Sequence, residues 1–255
     1  MLWVMFGREC GDHWRSRRLL FVPLGFLLFA VIEPIGMKLL PTLLSQGSNL
    51  PPGSLIRIPV PSAGAVAGMG LGELAQIGVL LLVLVTMGQL AGERQAGILG
   101  QVFSWPLSRP AYFAGKAFAL LALVGLSLLL GVAGDVYETA LLFAPVGLFA
   151  ALRALLVLLP FFLLPTALTL AASSLCAAPL PAGGTALAAT IALDTVPHFF
   201  GGLVAKAAPG ALLTLAQRAI AGGSVGDAWL PALTTLALCL ALLLAGAYGV
   251  ERREV

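Results

Sequence analysis

Long apolar runs broken by short polar stretches make up most of this chain. A helix needs about 20 predominantly apolar residues, at 1.5 Å rise each, to cross a hydrocarbon core of ~30 Å. Six stretches meet that length, at about 19–44, 71–91, 117–134, 147–176, 183–204 and 229–250. The pattern therefore predicts an all-α protein with six membrane-spanning helices in a single transmembrane domain over 19–255. Pro160 and Pro165 lie inside the fourth stretch, where each removes a backbone donor, so a kink or local unwinding is expected there. Between the third and fourth stretches, LLFAPVGLFAALRALL offers no clear stop.

Two segments depart from the apolar pattern. The first, 1–18, contains FGRECGDHWRSRR and reads as an interfacial elbow. Trp3, Phe6 and Trp14 suit headgroup depth, with Arg17 and Arg18 anchoring against anionic lipid. A cleaved signal peptide fits poorly, because the charged region is long, Glu33 follows the apolar run and no small-x-small cleavage site is evident.

Composition agrees with the pattern. Of 255 residues, 60% are hydrophobic and 10% charged, against roughly 25% charged in a soluble domain. Too few polar side chains exist to cover a water-facing surface, so lipid is the solvent. A net charge of +3 gives no ground for nucleic-acid binding. Cys10, Cys176 and Cys239 have no metal-ligand spacing and read as packing residues where they lie in apolar runs. Basic residues prefer the cytoplasmic side. With both termini inside, nine Lys and Arg residues fall on inner segments and five on outer ones. The expected location is a bacterial-type cytoplasmic (inner) membrane, crossed several times.

The second polar segment is GERQAGILGQVFSWPLSRPAYFAGK, Gly92 to Lys116. A helix over 93–104 would carry Ile98, Val102 and Trp105 on one stripe, with Leu99 and Phe103 beside it. The opposite face holds Glu93, Gly97, Gly100 and Ser104 and is almost bare. Each glycine costs about 1 kcal/mol against alanine in a helix, which points to close approach by another backbone. The succession Glu93, Gly97, Leu99, Pro106, Ser108, Arg109, Tyr112, Gly115, Lys116 resembles the first cytoplasmic loop of the ABC-2 type transporter permeases. The basic N-terminal segment and the ending Tyr248, Glu251–Glu254 are similar to that family as well.

The resemblance implies a coupling helix docking into a groove of a separate cytoplasmic P-loop ATPase. By that likeness Glu93, Gly97, Leu99, Gly100, Pro106, Ser108 and Arg109 serve ATPase coupling, while Arg109 and Lys116 anchor the return at the headgroups. It also implies a second permease copy, as homodimer or heterodimer, and short re-entrant extracellular helices between spans five and six. The chain itself has no GxxxxGK[ST] motif, so it is expected to bind no cofactor directly, with ATP and magnesium used by the partner.

Ionisable residues within spans are expensive and default to functional hypotheses. Glu33 falls in the outer third of span one, near Lys38, either snorkelling outward or lining an outward cavity. Asp194 falls near the midplane of span five, with His198 at i+4 and Pro197 between them. This pair marks either a translocation site or the start of a re-entrant turn. One Asp and one His do not complete a metal shell. Residues 45–72 read as a loose outer connection, with a weak helix-packing signal at Gly64 and Gly68.

The leading expectation is the permease subunit of an exporter, not an enzyme. Neither GxSG nor HExxH occurs, so hydrolase and zinc-protease readings lack their motifs. The alternative is an ion-coupled secondary transporter in which Asp194, His198 and Glu33 relay protons or ions.

Overall fold

The computed structural model describes residues 2–47, 61–99 and 108–252. Among them every regular element is helical and no strand occurs. Helix α1 (Leu2–Arg15) precedes α2 (Arg18–Gly47), α3 (Ala63–Thr86), α4 (Ala91–Gln95) and α5 (Arg109–Leu142). Then follow α6 (Leu148–Leu175), α7 (Pro179–Phe200), α8 (Gly202–Ala207), α9 (Gly210–Ile220), a 3-10 turn (Gly226–Ala228) and α10 (Trp229–Arg252).

Local chemistry sets several boundaries. The Ser62 hydroxyl caps α3 by accepting from the Ala65 amide at 3.2 Å. That cap starts α3 eight residues before the apolar run 71–91, because the intervening Ala and Gly residues are weakly apolar yet compatible with helix. Pro110 lies in the first turn of α5 and Pro179 opens α7, where a missing amide costs nothing. α5 continues past the expected end at 134 to Leu142 and carries Asp135 and Thr139 inside the helix. The break before α6 falls at 143–147, around Pro145. α6 is assigned as helix without interruption through Pro160 and Pro165, so no local unwinding follows from them. Thr166 and Thr169 donate back to the carbonyls of Phe162 and Pro165.

Five helical stretches among the described residues are long and apolar enough to cross a membrane, against the six expected. They are built on α2, α3, α5, α6 and α10. The stretch expected as span five forms α7, 22 residues long, which is not one of those five. Prolines at 179, 181 and 197, paired glycines at 183 and 184, and Asp194 dilute its apolar character.

α6 is the central helix, with 67% of its apolar window buried, whereas the stretch containing α10 is only 22% buried and faces outward. α2 packs along α5, α10 along α6, and α3 against α2, α5, α6 and α9. The core closes around Phe26 and Phe162, whose ring centroids are 5.2 Å apart. After α7 the chain breaks at Gly201 and Gly202, with φ of +62° and +56°, a region glycine enters without steric cost. Two short helices occupy the interval before α10, and α9 buries Leu212, Leu215, Ala216, Ala219 and Ile220 against α3 and α6.

The seam between α3 and α9 uses the spacing Gly64, Gly68, Gly72. A Cβ on Gly64 would lie 2.7 Å from the Ala221 Cα, and one on Gly72 3.0 Å from the Gln217 amide nitrogen. The Gln217 side chain donates to the Gly68 carbonyl at 3.0 Å. Gly64→Leu is expected to cost about 1–3 kcal/mol through overpacking. Gly88→Ala, with open space around its new Cβ, serves as the control for thermal unfolding in detergent. Equal midpoints for the two variants would refute the seam.

Candidate functional site

The end of the bundle that carries α4 gathers charge from across the sequence. After α3, the turn at 87–90 leaves backbone groups without helical partners. Ser173 of α6 supplies them: its hydroxyl accepts from the amides of Leu90 at 3.1 Å and Ala91 at 2.9 Å, and donates to the Met87 carbonyl at 2.8 Å. α4 then presents Glu93 to α5. There the Lys116 ammonium lies 2.8 Å from Glu93 Oε1 and 3.0 Å from Glu9 Oε2 of α1. The Tyr112 hydroxyl, one turn before Lys116, donates to Glu93 Oε2. Lys116 is 1% exposed and sits 5.0 Å from the Tyr112 ring centroid.

Met5, Glu9 and His13 are successive i, i+4 positions on the inward face of α1. Close contact is possible because Gly115 lacks a Cβ, which would meet Met5 Cβ at 2.7 Å. Burial pushes the Glu9 carboxyl above its ordinary range, against the opposing pull of Lys116. Burial lowers His13 to about 4, helped by the positive charges of Arg18 and Lys116 and opposed by Asp12. Among the described residues neither ring nitrogen of His13 has a hydrogen-bond partner.

Two arginines clamp the rims of the intervening segment. Arg94 donates to the carbonyls of Cys176 at 2.5 Å and Ser174 at 3.0 Å, at the C-terminus of α6. Arg109 donates to the carbonyls of Val250 at 3.3 Å and Glu251 at 2.9 Å, near the C-terminus of α10. Each positive head meets the negative end of a helix dipole and carbonyls that lack an intrahelical donor. The described residues on either side of 100–107 are thus tied by Arg94 to α6 and by Arg109 to α10.

Several expectations change. Lys116 is not a headgroup anchor; it is the buried centre of the ion cluster, because two carboxylates compensate it there. Glu93 turns inward to Lys116 and Tyr112 rather than presenting a bare face. A single helix over 93–104 does not form: α4 ends at Gln95 and Gly97 has φ +72°. Gly97 is exposed, Leu99 is buried, and Ser108 occupies the cap position of α5 without a side-chain bond. Gly100 and Pro106, with Val102, Phe103, Ser104 and Trp105, lie outside the described residues.

On α1, Trp3 and Trp14 are 79% and 72% exposed, away from the face that docks on α5. Arg17 adopts φ +57° and reverses the chain between α1 and α2, with Arg18 opening α2. Glu33 is half-buried, and Lys38 turns from it to the Leu142 carbonyl at 3.1 Å and the Phe143 ring. Asp194 and His198 form no ion pair; Asp194 Oδ1 is unpartnered beside Gly210, and His198 is exposed.

Sequence reasoning missed Glu9, Ser173 and Asp135. The spacing of Met5, Glu9 and His13 was the available signal for the first. Asp135 falls just past the expected end of the third span at 134, yet it is fully buried beside Gly70, with neither oxygen partnered among the described residues and Thr139 one turn further on.

These features define an all-helical, multi-pass membrane protein with an ion-paired end. Over 249 residues it is 26% identical to the "Uncharacterized transmembrane protein YxlG" of Bacillus subtilis (strain 168), covering 95% of this chain and 94% of that one. No family model matches the chain.

Lys116→Met strands two carboxylates, and an expected loss of roughly 3–5 kcal/mol is measured by thermal unfolding. Adding Glu9→Gln recovers part of it; no recovery would place the cost elsewhere. Below pH 6.5 a free α1 protonates His13 while the docked one resists until about 4. Docking therefore weakens as pH falls through that window, with Glu9 protonation acting in the opposite sense. The protection factors of residues 2–15, referred to the intrinsic exchange rate at each pH, are expected to fall between pH 6.5 and 4, and less so in His13→Leu.

Proposed function

We propose that this chain is the permease subunit of an ATP-binding-cassette exporter in a cytoplasmic membrane. It works with a second permease copy and separate cytoplasmic ATPase subunits. The observation that carries this reading is the double clamp on the segment between α4 and α5. Arg94 ties one rim to α6, Arg109 ties the other to α10, and Glu93 ties α4 to α5 and through Lys116 to α1. In this reading a push on the residues flanking 100–107 reaches α6, α10 and α5 directly and α1 through Lys116. That is the mechanical requirement for a docking loop driven by an external ATPase.

The sequence pattern from Glu93 to Lys116 supports the same reading, as does the lack of a P-loop. In it the clamped end is cytoplasmic, consistent with its basic residues. α7 serves as span five and α10 as span six, with α8 and α9 between them as the outer re-entrant pair. The protein chain binds no nucleotide; ATP and magnesium belong to the partner.

A second reading, an ion-coupled transporter working alone, draws on Asp135, a buried carboxylate with no partner among the described residues.

Purification of the tagged protein from its host in mild detergent separates the two. The expected result is a P-loop ATPase at about one copy per permease. Arg94→Ala with Arg109→Ala is expected to keep that assembly while losing transport-linked ATP hydrolysis. Purification without a nucleotide-binding chain, together with proton flux in liposomes abolished by Asp135→Asn, would replace the first reading with the second.

A further inference from the structure

The opposite end of the bundle holds a second, chemically distinct feature. α7 leaves the ion-clustered end at Pro179 and finishes at Phe200, so α8, α9 and the start of α10 lie at the far end. Between them is a concavity of about 350 Å³, within the range of roughly 300–1,000 Å³ typical of small-ligand sites. Lys206 at the end of α8, Arg218 at the end of α9 and His198 near the end of α7 line it together. One carboxylate, Asp227, sits among them, and Trp229 and Leu215 contribute apolar wall.

The two permanent cations are unspent. Neither the Lys206 ammonium nor the Arg218 guanidinium makes a hydrogen bond or ion pair with any described residue. This contrasts with Arg94, Arg109 and Lys116 at the other end, each held by acceptors at 2.5–3.3 Å. Neither Lys206 nor Arg218 caps a helix C-terminus, as Arg94 of α4 does for α6. With Asp227 counted, the wall keeps a net positive charge.

We infer that this concavity binds the phosphate of an amphiphile headgroup, with Lys206 and Arg218 as its ligands and Trp229 beside the acyl–glycerol junction. The argument is charge complementarity combined with place. A guanidinium and an ammonium are suited to phosphate oxygens, the first by a planar fork and the second as a point charge. Basic pockets between membrane helices hold lipid headgroups for this reason. Trp229 is 63% exposed at the start of an apolar helix, where an amphipathic ring prefers the interface. Asp227 accepts from a headgroup hydroxyl or ammonium. The site stands apart from the clamped end and from any ATPase, so it does not rest on the exporter reading.

The test is a binding titration of the detergent-solubilised full chain against three probes: short-chain phosphatidylglycerol, the matching diacylglycerol without phosphate, and inorganic phosphate. The expected result is saturable binding of the phosphatidylglycerol alone, weakening as salt is raised. Lys206→Gln with Arg218→Gln is expected to weaken it by roughly tenfold for each charge removed. Arg153→Gln, an exposed arginine of α6 that does not line the concavity, leaves it unchanged. Unfolding midpoints of the variants check that folding is intact, and Trp229→Ala gives a second, charge-neutral probe of the same wall. Equal binding of the diacylglycerol, binding of inorganic phosphate as tight as the lipid, or unaltered affinity in the double variant would each overturn the inference.

Discussion

A single buried ammonium organises the end of this molecule on which its other contacts converge. Lys116 lies on a spanning helix at 1% exposure, and removing such a charge from water costs several kcal/mol unless it is compensated. Compensation comes from two carboxylates on separate segments, Glu9 from α1 and Glu93 from α4. Both segments are therefore constrained by one atom. α1 cannot leave α5 without taking Glu9 from the lysine, and α4 cannot move without displacing Glu93 from Lys116 and Tyr112.

The two arginine clamps extend the same logic outward. Helix C-termini present carbonyls that need donors, and α6 and α10 end where Arg94 and Arg109 can reach them. Ser173 satisfies the backbone at the turn that frees α4. The polar residues that flank 100–107 thus connect α4 to α6 and the start of α5 to α10. The far end is built differently: close glycine packing seats α9 on α3, while its cations remain open to a ligand. One end is held by ion pairs and the other by close glycine packing.

Much of this was legible in the chain. Apolar runs longer than a bilayer requires named five of the helices that meet the length and composition of a span, because the hydrophobic constraint is local and additive along sequence. The unusual character of Gly92–Lys116 was equally plain, and the residues that mark it include Glu93, Arg109 and Lys116. Their partners were not legible. Glu93 and Lys116 are 23 positions apart, Glu9 and Lys116 107 apart, and Arg109 reaches carbonyls over 140 positions away. No spacing rule links residues on different helices.

The order of residues is enough to establish an all-helical membrane protein, five of its apolar helices and a segment out of character with them. Those properties follow from composition and periodicity, which each stretch carries alone. Tertiary structure decided that Lys116 faces inward instead of toward headgroups, that Gly97 ends a helix instead of continuing one, and that Asp135 is buried instead of looped. Each depends on what a neighbouring helix offers: a pair of carboxylates, a carbonyl to clamp, a glycine that leaves room. Such offers exist only once the helices have packed.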